Sequence, residues 1–486
     1  MAIDLSVPTV RLHVGGETRD RGRGGEYEHV YPVTGVVQSV IPLAGAADVD
    51  DAVRAADEAF RRWRSWQPAR RRDVLMRLAE LIDASTEELA RLSVLDNGMT
   101  LGLGRMLTGS LVDYTRYYAG WADKIEGRTT SFPGNRRELG YTVPEPYGVI
   151  GVILTWNGPM VSLGMKVIPA LAAGNTVVVK PSELTPYAME EFMRLVTEAG
   201  VPAGVVNMLP GAAEAGDALV RHPLVRKVTF TGGPTTARRI LAACAEGLKP
   251  SVLELGGKSA NVVFPDADLE SAAALNAITV CQSLAGQGCA VGTRMIVHDD
   301  VYDEVAERMS TLVRSSKCGD PFDPEISVGP VVTRHAQQRI MGMIDRATGP
   351  GDAKVLVGGG APGGALAAGF FVEPTLLGDV TPGSEIEQVE VFGPVISMLR
   401  FRTEDEAIAL ANGTEYGLAS YLWTNDIARI TRFSNELEAG GVYVNGALPV
   451  LGCELPFGGV GISGFGREGG EEGLREFVRT KAVAIG

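Results

Sequence analysis

Histidine, cysteine and basic charge are what this 486-residue chain has least of, and each scarcity removes a class of function. The five histidines (His13, His29, His222, His298 and His335) are scattered, and none falls in a glycine-, cysteine- or glutamate-bearing motif. A Cys–His hydrolase is therefore disfavoured, although partners in space need not be neighbours in sequence. No HxH, HExxH or CxxC spacing occurs, so no metal site is expected. Five cysteines, an odd number, argue against a disulfide framework and for a reducing compartment. Lys and Arg number 45 against 59 Asp and Glu, a net charge of −14, which lacks the basic footprint that nucleic acid or an anionic membrane surface would select. The most apolar stretch, 158–179, is broken by Lys166, Pro169 and Gly174 and does not read as a membrane span. Residues 1–6 show no basic region ahead of an apolar run, so no secretory signal is read and a soluble cytoplasmic protein is expected.

What remains is globular: 45% hydrophobic and 21% charged residues, long enough for about two to four domains. Residues 1–45 read as short strands and turns. Helical spacing begins at Asp48, with Val53, Ala56, Phe60 and Trp63 on one face, and further helices are expected over 70–82, 86–95 and 105–124. The stripe Tyr114, Tyr117, Tyr118 and Trp121 reads as helix packing. Residues 128–146, with Pro133, Gly134, Pro144 and Pro146, read as an extended arm. From Gly148 strands alternate with helices: strands at 148–155, 175–180, 205–209, 226–231 and 251–255, helices between them. Continuous Val/Ile runs in that rhythm predict a parallel sheet covered on both faces, an α/β fold. A second α/β series runs from 261 to about 444. The tail is glycine-rich from Pro456, then helical over 470–477, and ends in an edge strand over 478–485.

Four stretches carry chemistry. An apolar helical pattern over 269–284 stops at two glycines in Gly286-Gln287-Gly288-Cys289, and Arg294-Met295-Ile296-Val297 reads as a strand behind it. A thiol between a helix end and a strand suits a nucleophile whose neighbouring amides face a carbonyl. It equally suits a packed small residue, and this stretch alone leaves both readings open. Glu254 in Val252-Leu253-Glu254-Leu255-Gly256-Gly257-Lys258 lies at an apolar strand end. Burial there would raise its pKa toward that of a useful general base, the alternative being a glutamate satisfied by backbone amides. The GxGxxG fingerprint is absent, but Phe230-Thr231-Gly232-Gly233-Pro234 joins a strand to a helix start able to receive a pyrophosphate, a signal many αβ turns share. Lys180-Pro181-Ser182-Glu183 ends a strand with a cation and a carboxylate three residues apart, suited to a ribose diol or to a solvated loop pair.

Taken together these residues resemble the aldehyde dehydrogenase superfamily through nearly the whole chain. The resemblance rests on Thr155-Trp156-Asn157-Gly158-Pro159, Lys180-Pro181-Ser182-Glu183, Phe230-Thr231-Gly232, Glu254-Leu255-Gly256-Gly257-Lys258, Gly286-Gln287-Gly288-Cys289, Glu390-Val391-Phe392-Gly393-Pro394 and Pro456-Phe457-Gly458-Gly459, in order and in register. It implies a Rossmann-type cofactor domain (1–122 and 142–253), an α/β catalytic domain (254–455) and a β oligomerisation arm (123–141 and 470–486). It implies a homodimer or homotetramer, the tetramer favoured here. NAD is the implied cofactor, with NADP disfavoured by Glu183, and a small-molecule aldehyde the implied substrate. The catalytic set it implies is Cys289 as nucleophile, Asn157 with the Cys289 amide as oxyanion hole, and Glu254 as base, to which Lys166 is added. The implied cofactor contacts are Thr155, Trp156, Lys180, Ser182, Glu183, Gly211, Phe230, Gly232, Gly233, Leu255, Gly256, Glu390 and Phe392. Glu254 disfavours a coenzyme A-acylating variant, and the intact set disfavours a non-catalytic protein of the same fold. Departures from the common pattern are Gly233, Ala237, Gln282, Leu284, Val291 and Gly461, where serine, glycine, phenylalanine, asparagine, alanine and lysine are frequent. The substrate tunnel is expected along 107–118, near Val161 and along 446–453, with Cys453 near its mouth. The mixed aromatic and aliphatic lining points to an apolar aldehyde.

Overall fold

The computed structural model describes residues 5–131, 139–349, 351–449 and 452–486. Pro133 and Gly134 of the expected arm, residues 1–4, and Val450 and Leu451 of the expected tunnel lie outside them.

Two large sheets organise the chain. In the first, five parallel strands stand in the order Val206–Met208, Thr176–Lys180, Val149–Ile153, Val225–Thr231, Ser251–Glu254. Their side chains alternate with period two. Ile150, Val152, Val177 and Val179 enter one core with Trp63, Tyr114, Tyr118 and Phe192, while Val149, Ile153, Val178 and Val228 enter another on the opposite face. Both faces are thus covered, which is why these strands read as continuous apolar runs rather than as alternating ones. Tyr114 and Tyr118 are buried in this packing. Antiparallel strands close the edges: Leu12–Val14 meets the first edge at His13↔Met208, and Gly464–Phe465 from the tail lies on Ser251–Glu254.

The second sheet orders six parallel strands as Thr375–Gly378, Val395–Phe401, Arg294–His298, Ala260–Val263, Ala419–Trp423 and Gly441–Val444, with Lys354–Val357 antiparallel at one edge. A small third sheet pairs Val478–Ile485 with Leu139–Pro146 antiparallel, and Thr129–Ser131 with the latter. The tail helix Gly470–Arg475 does not travel with that strand: Leu474 and Phe477 are buried in the first core, and Asn175 Nδ2 donates to Phe477 O at 2.9 Å. No helix among the described residues is long and apolar enough to cross a membrane.

Two helical expectations change. The helix expected over 269–284 ends as an α-helix at Ala277, widens into a π-turn over Ile278–Gln282, and then reverses hand, with Leu284 at φ 49° and Ala285 at φ 48°. Gln287 pins this turn from both ends of its amide: Nε2 donates to Leu284 O and Oε1 accepts from Val332 N, each at 2.9 Å. The helix expected between the strands 148–155 and 175–180 likewise carries a π-turn, Leu163–Val167. Such turns concentrate at functional sites because the extra residue re-aims side chains.

Candidate active site

Numbered along the chain, the first sheet's parallel strands stand in the order 3-2-1-4-5. The order reverses between Val149–Ile153 and Val225–Thr231, and ligands of such sheets bind in the crevice that opens there at the carboxyl ends. The structure brings the expected cofactor contacts to that crevice. Thr155 and Trp156 follow one strand, and Gly232 and Gly233 the other, with Gly233 capping the helix Pro234–Glu246. Phe230 is buried with its ring beneath Gly232, where a Cβ would stand 2.4 Å from Cζ. Lys180 ends the next strand; its buried ammonium donates to Pro181 O and Gly211 O and stands 3.9 Å from Glu183 Oε2. Ser182 Oγ accepts from Leu184 N, tightening the same turn.

Across the crevice, Phe392 holds a left-handed backbone (φ 50°) and sets its ring edge-on to Trp156 at 5.5 Å. Glu390 Oε1 accepts from Gly257 N at 2.9 Å. Burial pushes the Glu390 carboxyl up to about 7, against the Gly257 amide and the charges of Lys258 and Arg339. Lys258 is fully buried with no hydrogen-bond partner for its ammonium; burial and then the Arg294 charge bring its pKa down to about 7. The glycines of this segment permit close approach: a Cβ at Gly256 would meet Glu390 Oε2 at 2.2 Å, and one at Gly257 would meet Cys289 O at 2.3 Å. Leu255 is buried, its N–H donating to Ser463 O.

Cys289, Asn157 and Glu254 share the wall of one cavity of about 290 Å³. Asn157 Nδ2 donates one hydrogen to Gln287 O at 2.9 Å, which aims the amide at the cysteine loop and leaves its second hydrogen for a ligand. Burial pushes the Cys289 thiol up to about 12, and the nearby Glu390 and Glu254 charges add to the rise. Glu254 ends its strand opposite Thr231 and Gly464. Neither of its buried carboxyl oxygens has a hydrogen-bond partner, so it is not the amide-satisfied glutamate of the alternative reading. Burial raises its pKa well above the carboxylate range, Glu468 raises it further, and Lys166 and Arg467 pull it down.

Of the expected catalytic set, Lys166 alone does not reach the cavity wall. Its buried ammonium pairs with Glu468 and donates to Thr229 Oγ1 at 3.0 Å, so it acts on Glu254 only through charge and through Glu468. Glu468 is the residue that the motifs miss: it lines the cavity, and its backbone forms a two-way bridge with Phe457 of the Pro-Phe-Gly-Gly segment. The signal was faint, one acid among Gly466, Gly469 and Gly470. Leu107, Val161, Leu448 and Pro449 line the cavity as the tunnel expectation has it; Cys453 does not.

Residues 19–483 match the model of the aldehyde dehydrogenase family. The hydroxyisobutyraldehyde dehydrogenase of Mycolicibacterium austroafricanum is 39% identical over 478 residues, 98% of this chain and 93% of the relative. Human mitochondrial aldehyde dehydrogenase is 39% identical over 481 residues, 98% of this chain and 92% of the relative. Among solved structures, PnpE of Pseudomonas sp. WBC-3 in complex with nicotinamide adenine dinucleotide superposes with a TM-score of 0.94 at 41% identity, covering 98% of both chains.

Proposed function

The chain belongs to the aldehyde dehydrogenase family and carries out NAD-dependent aldehyde oxidation; we propose that Cys289, Asn157 and Glu254 do its chemistry and that the product is the free carboxylic acid. The observation that carries this reading is their convergence on one cavity wall at the mouth of the strand-order crevice. Cys289, its thiol proton released to water, adds through Sγ to the carbonyl carbon, giving the thiohemiacetal as its oxyanion. Its oxyanion is held by the Cys289 amide and by the Asn157 hydrogen that Gln287 does not use, a donor worth about 3–4 kcal/mol in such sites. NAD, when bound, supplies the acceptor for the aldehyde hydride. Glu254 takes a proton from the water that attacks the resulting Cys289 thioester, and the acid leaves.

The residues present fit NAD: a paired cation and carboxylate, Lys180 and Glu183, for the adenine-side ribose, the helix start at Gly233 for the pyrophosphate, and Glu390 with Phe392 for the nicotinamide half. Glu183 disfavours a 2′-phosphate by charge. Burial holds the Cys289 thiol protonated, so its activation as a nucleophile requires a charge that favours the thiolate. The two-sheet division supports the cofactor and catalytic domains proposed from sequence. The third sheet leaves Leu139 and Ile485 exposed, which supports an oligomerisation arm and, on the family pattern, a homotetramer; the five free cysteines support a cytoplasmic location. The experiment is aldehyde-dependent NADH formation by the pure protein: wild type forms NADH, Cys289→Ala forms none, and turnover by Cys289→Ala would refute the assignment. Unchanged acid yield on adding coenzyme A separates this reading from acyl transfer.

A further inference from the structure

The reading above leaves the class of aldehyde open, and the cavity wall bears on it. Away from Glu254 the wall is made by Leu107, Val161, Leu275, Ile278, Leu284 and Leu448. Three of the polar side chains that reach this wall are engaged within the protein, while the hydroxyls of Thr155, Ser162, Thr231 and Ser283 are small. The Tyr421 hydroxyl donates to Ala290 O at 2.6 Å, the Thr279 hydroxyl to Leu275 O at 2.8 Å, and the Gln287 amide is committed at both ends. The charged residues in the whole lining are Glu254 and Glu468, both at the reacting end, beside Lys166. No cation waits for a carboxylate-bearing aldehyde. Among the described residues, Tyr421 and Phe457 are the aromatics of the lining, too few to box a quaternary ammonium. Two wall residues, Met106 and Ile278, are large, apolar and about half exposed (47% and 48%), which marks an apolar entrance.

Leu284 is the unusual member of this wall. It opens a run of three left-handed residues, with φ 49°, 48° and 73° at Leu284, Ala285 and Gly286. A leucine sits there against its own backbone preference, whereas asparagine adopts the conformation far more readily. The turn itself would therefore be better served by asparagine.

We propose that Leu284 is a specificity-determining residue, its left-handed turn delivering an apolar side chain to the substrate wall, and that the enzyme selects uncharged aliphatic aldehydes held chiefly by apolar contact. The proposal rests on the aldehyde dehydrogenase reading and goes beyond it. Each methylene buried against such a wall is worth about fourfold in binding, so kcat/KM climbs with chain length until the cavity is full.

The test is NADH formation over a series from propanal to octanal, with succinic semialdehyde and betaine aldehyde as charged probes. Neutral aldehydes of matched length should exceed both charged probes by about 100-fold in kcat/KM. Leu284→Asn should raise Tm, because the turn relaxes, and lower the octanal-to-propanal ratio of kcat/KM about tenfold, mainly through KM. Ile278→Asn, which leaves the left-handed turn alone, should lower the same ratio and guards against a folding defect in the first variant. Charged probes matching the neutral series, or an unchanged ratio in both variants, would overturn the proposal. Absence of NADH with every aldehyde would instead overturn the activity reading, and this proposal with it.

Discussion

At the Lys180 end of the cleft the buried ammonium rests on two carbonyl oxygens and faces Glu183; at the Cys289 end both oxygens of Glu254 and the ammonium of Lys258 stand buried without a hydrogen-bond partner. Buried polar groups normally find partners, and those that do not raise the local cost of charge. The Lys180 end thus meets its buried charge with protein oxygens, although burial still lowers the Lys180 pKa. The Cys289 end does not, and its titratable groups are displaced in both directions: Cys289 and Glu254 upward, Lys258 downward. Perturbed groups of this kind gather where chemistry is done.

Substitutions at the two ends should separate accordingly. Glu254→Gln strikes the Cys289 end and should lower steady-state turnover by about 10²–10⁴-fold, the usual worth of a positioned base, with NAD affinity measured by calorimetry unchanged. Asn157→Ala should cost about 10²–10³-fold in kcat, the typical loss on removing one oxyanion donor, and again spare NAD binding. The pH profile sharpens the contrast. A base whose pKa is raised is idle when protonated, so kcat rises with pH through the range above ordinary carboxylates. Lys166→Met removes a charge that pulls the Glu254 pKa down, so this rising limb should move to higher pH. An unmoved limb would detach Lys166 from Glu254. Glu183→Ala, at the Lys180 end, should have the smallest effect: turnover with NAD changes little, and the NADP-to-NAD ratio of kcat/KM rises several-fold.

Legibility from sequence divides along the same line. Cys289, Glu254 and Asn157 stand in short motifs in which a glycine or a strand end announces close approach, and local sequence suffices to find them. Glu468 does not, because its partner Lys166 is 302 residues away and the two meet only through the bridge between Phe457 and Glu468. The lone ammonium of Lys258 follows from the packing of Arg294, Glu387 and Glu390 around it, which no local pattern records. Much of the fold was readable, since the Val/Ile runs between helices predict a two-faced sheet. The strands Thr375–Gly378 and Ala419–Trp423 escaped, being four and five residues long inside loop-rich sequence. The left-handed turn escaped as well, because Leu284 and Ala285 are residues that do not signal it.

The most direct test of the account follows Glu254→Gln through a single turnover with excess aldehyde and NAD, reading NADH and the intact mass of the protein together. The account predicts a burst of one NADH per subunit, then near arrest, with the acyl group found on Cys289. A burst absent, or an adduct on any other residue, would contradict it.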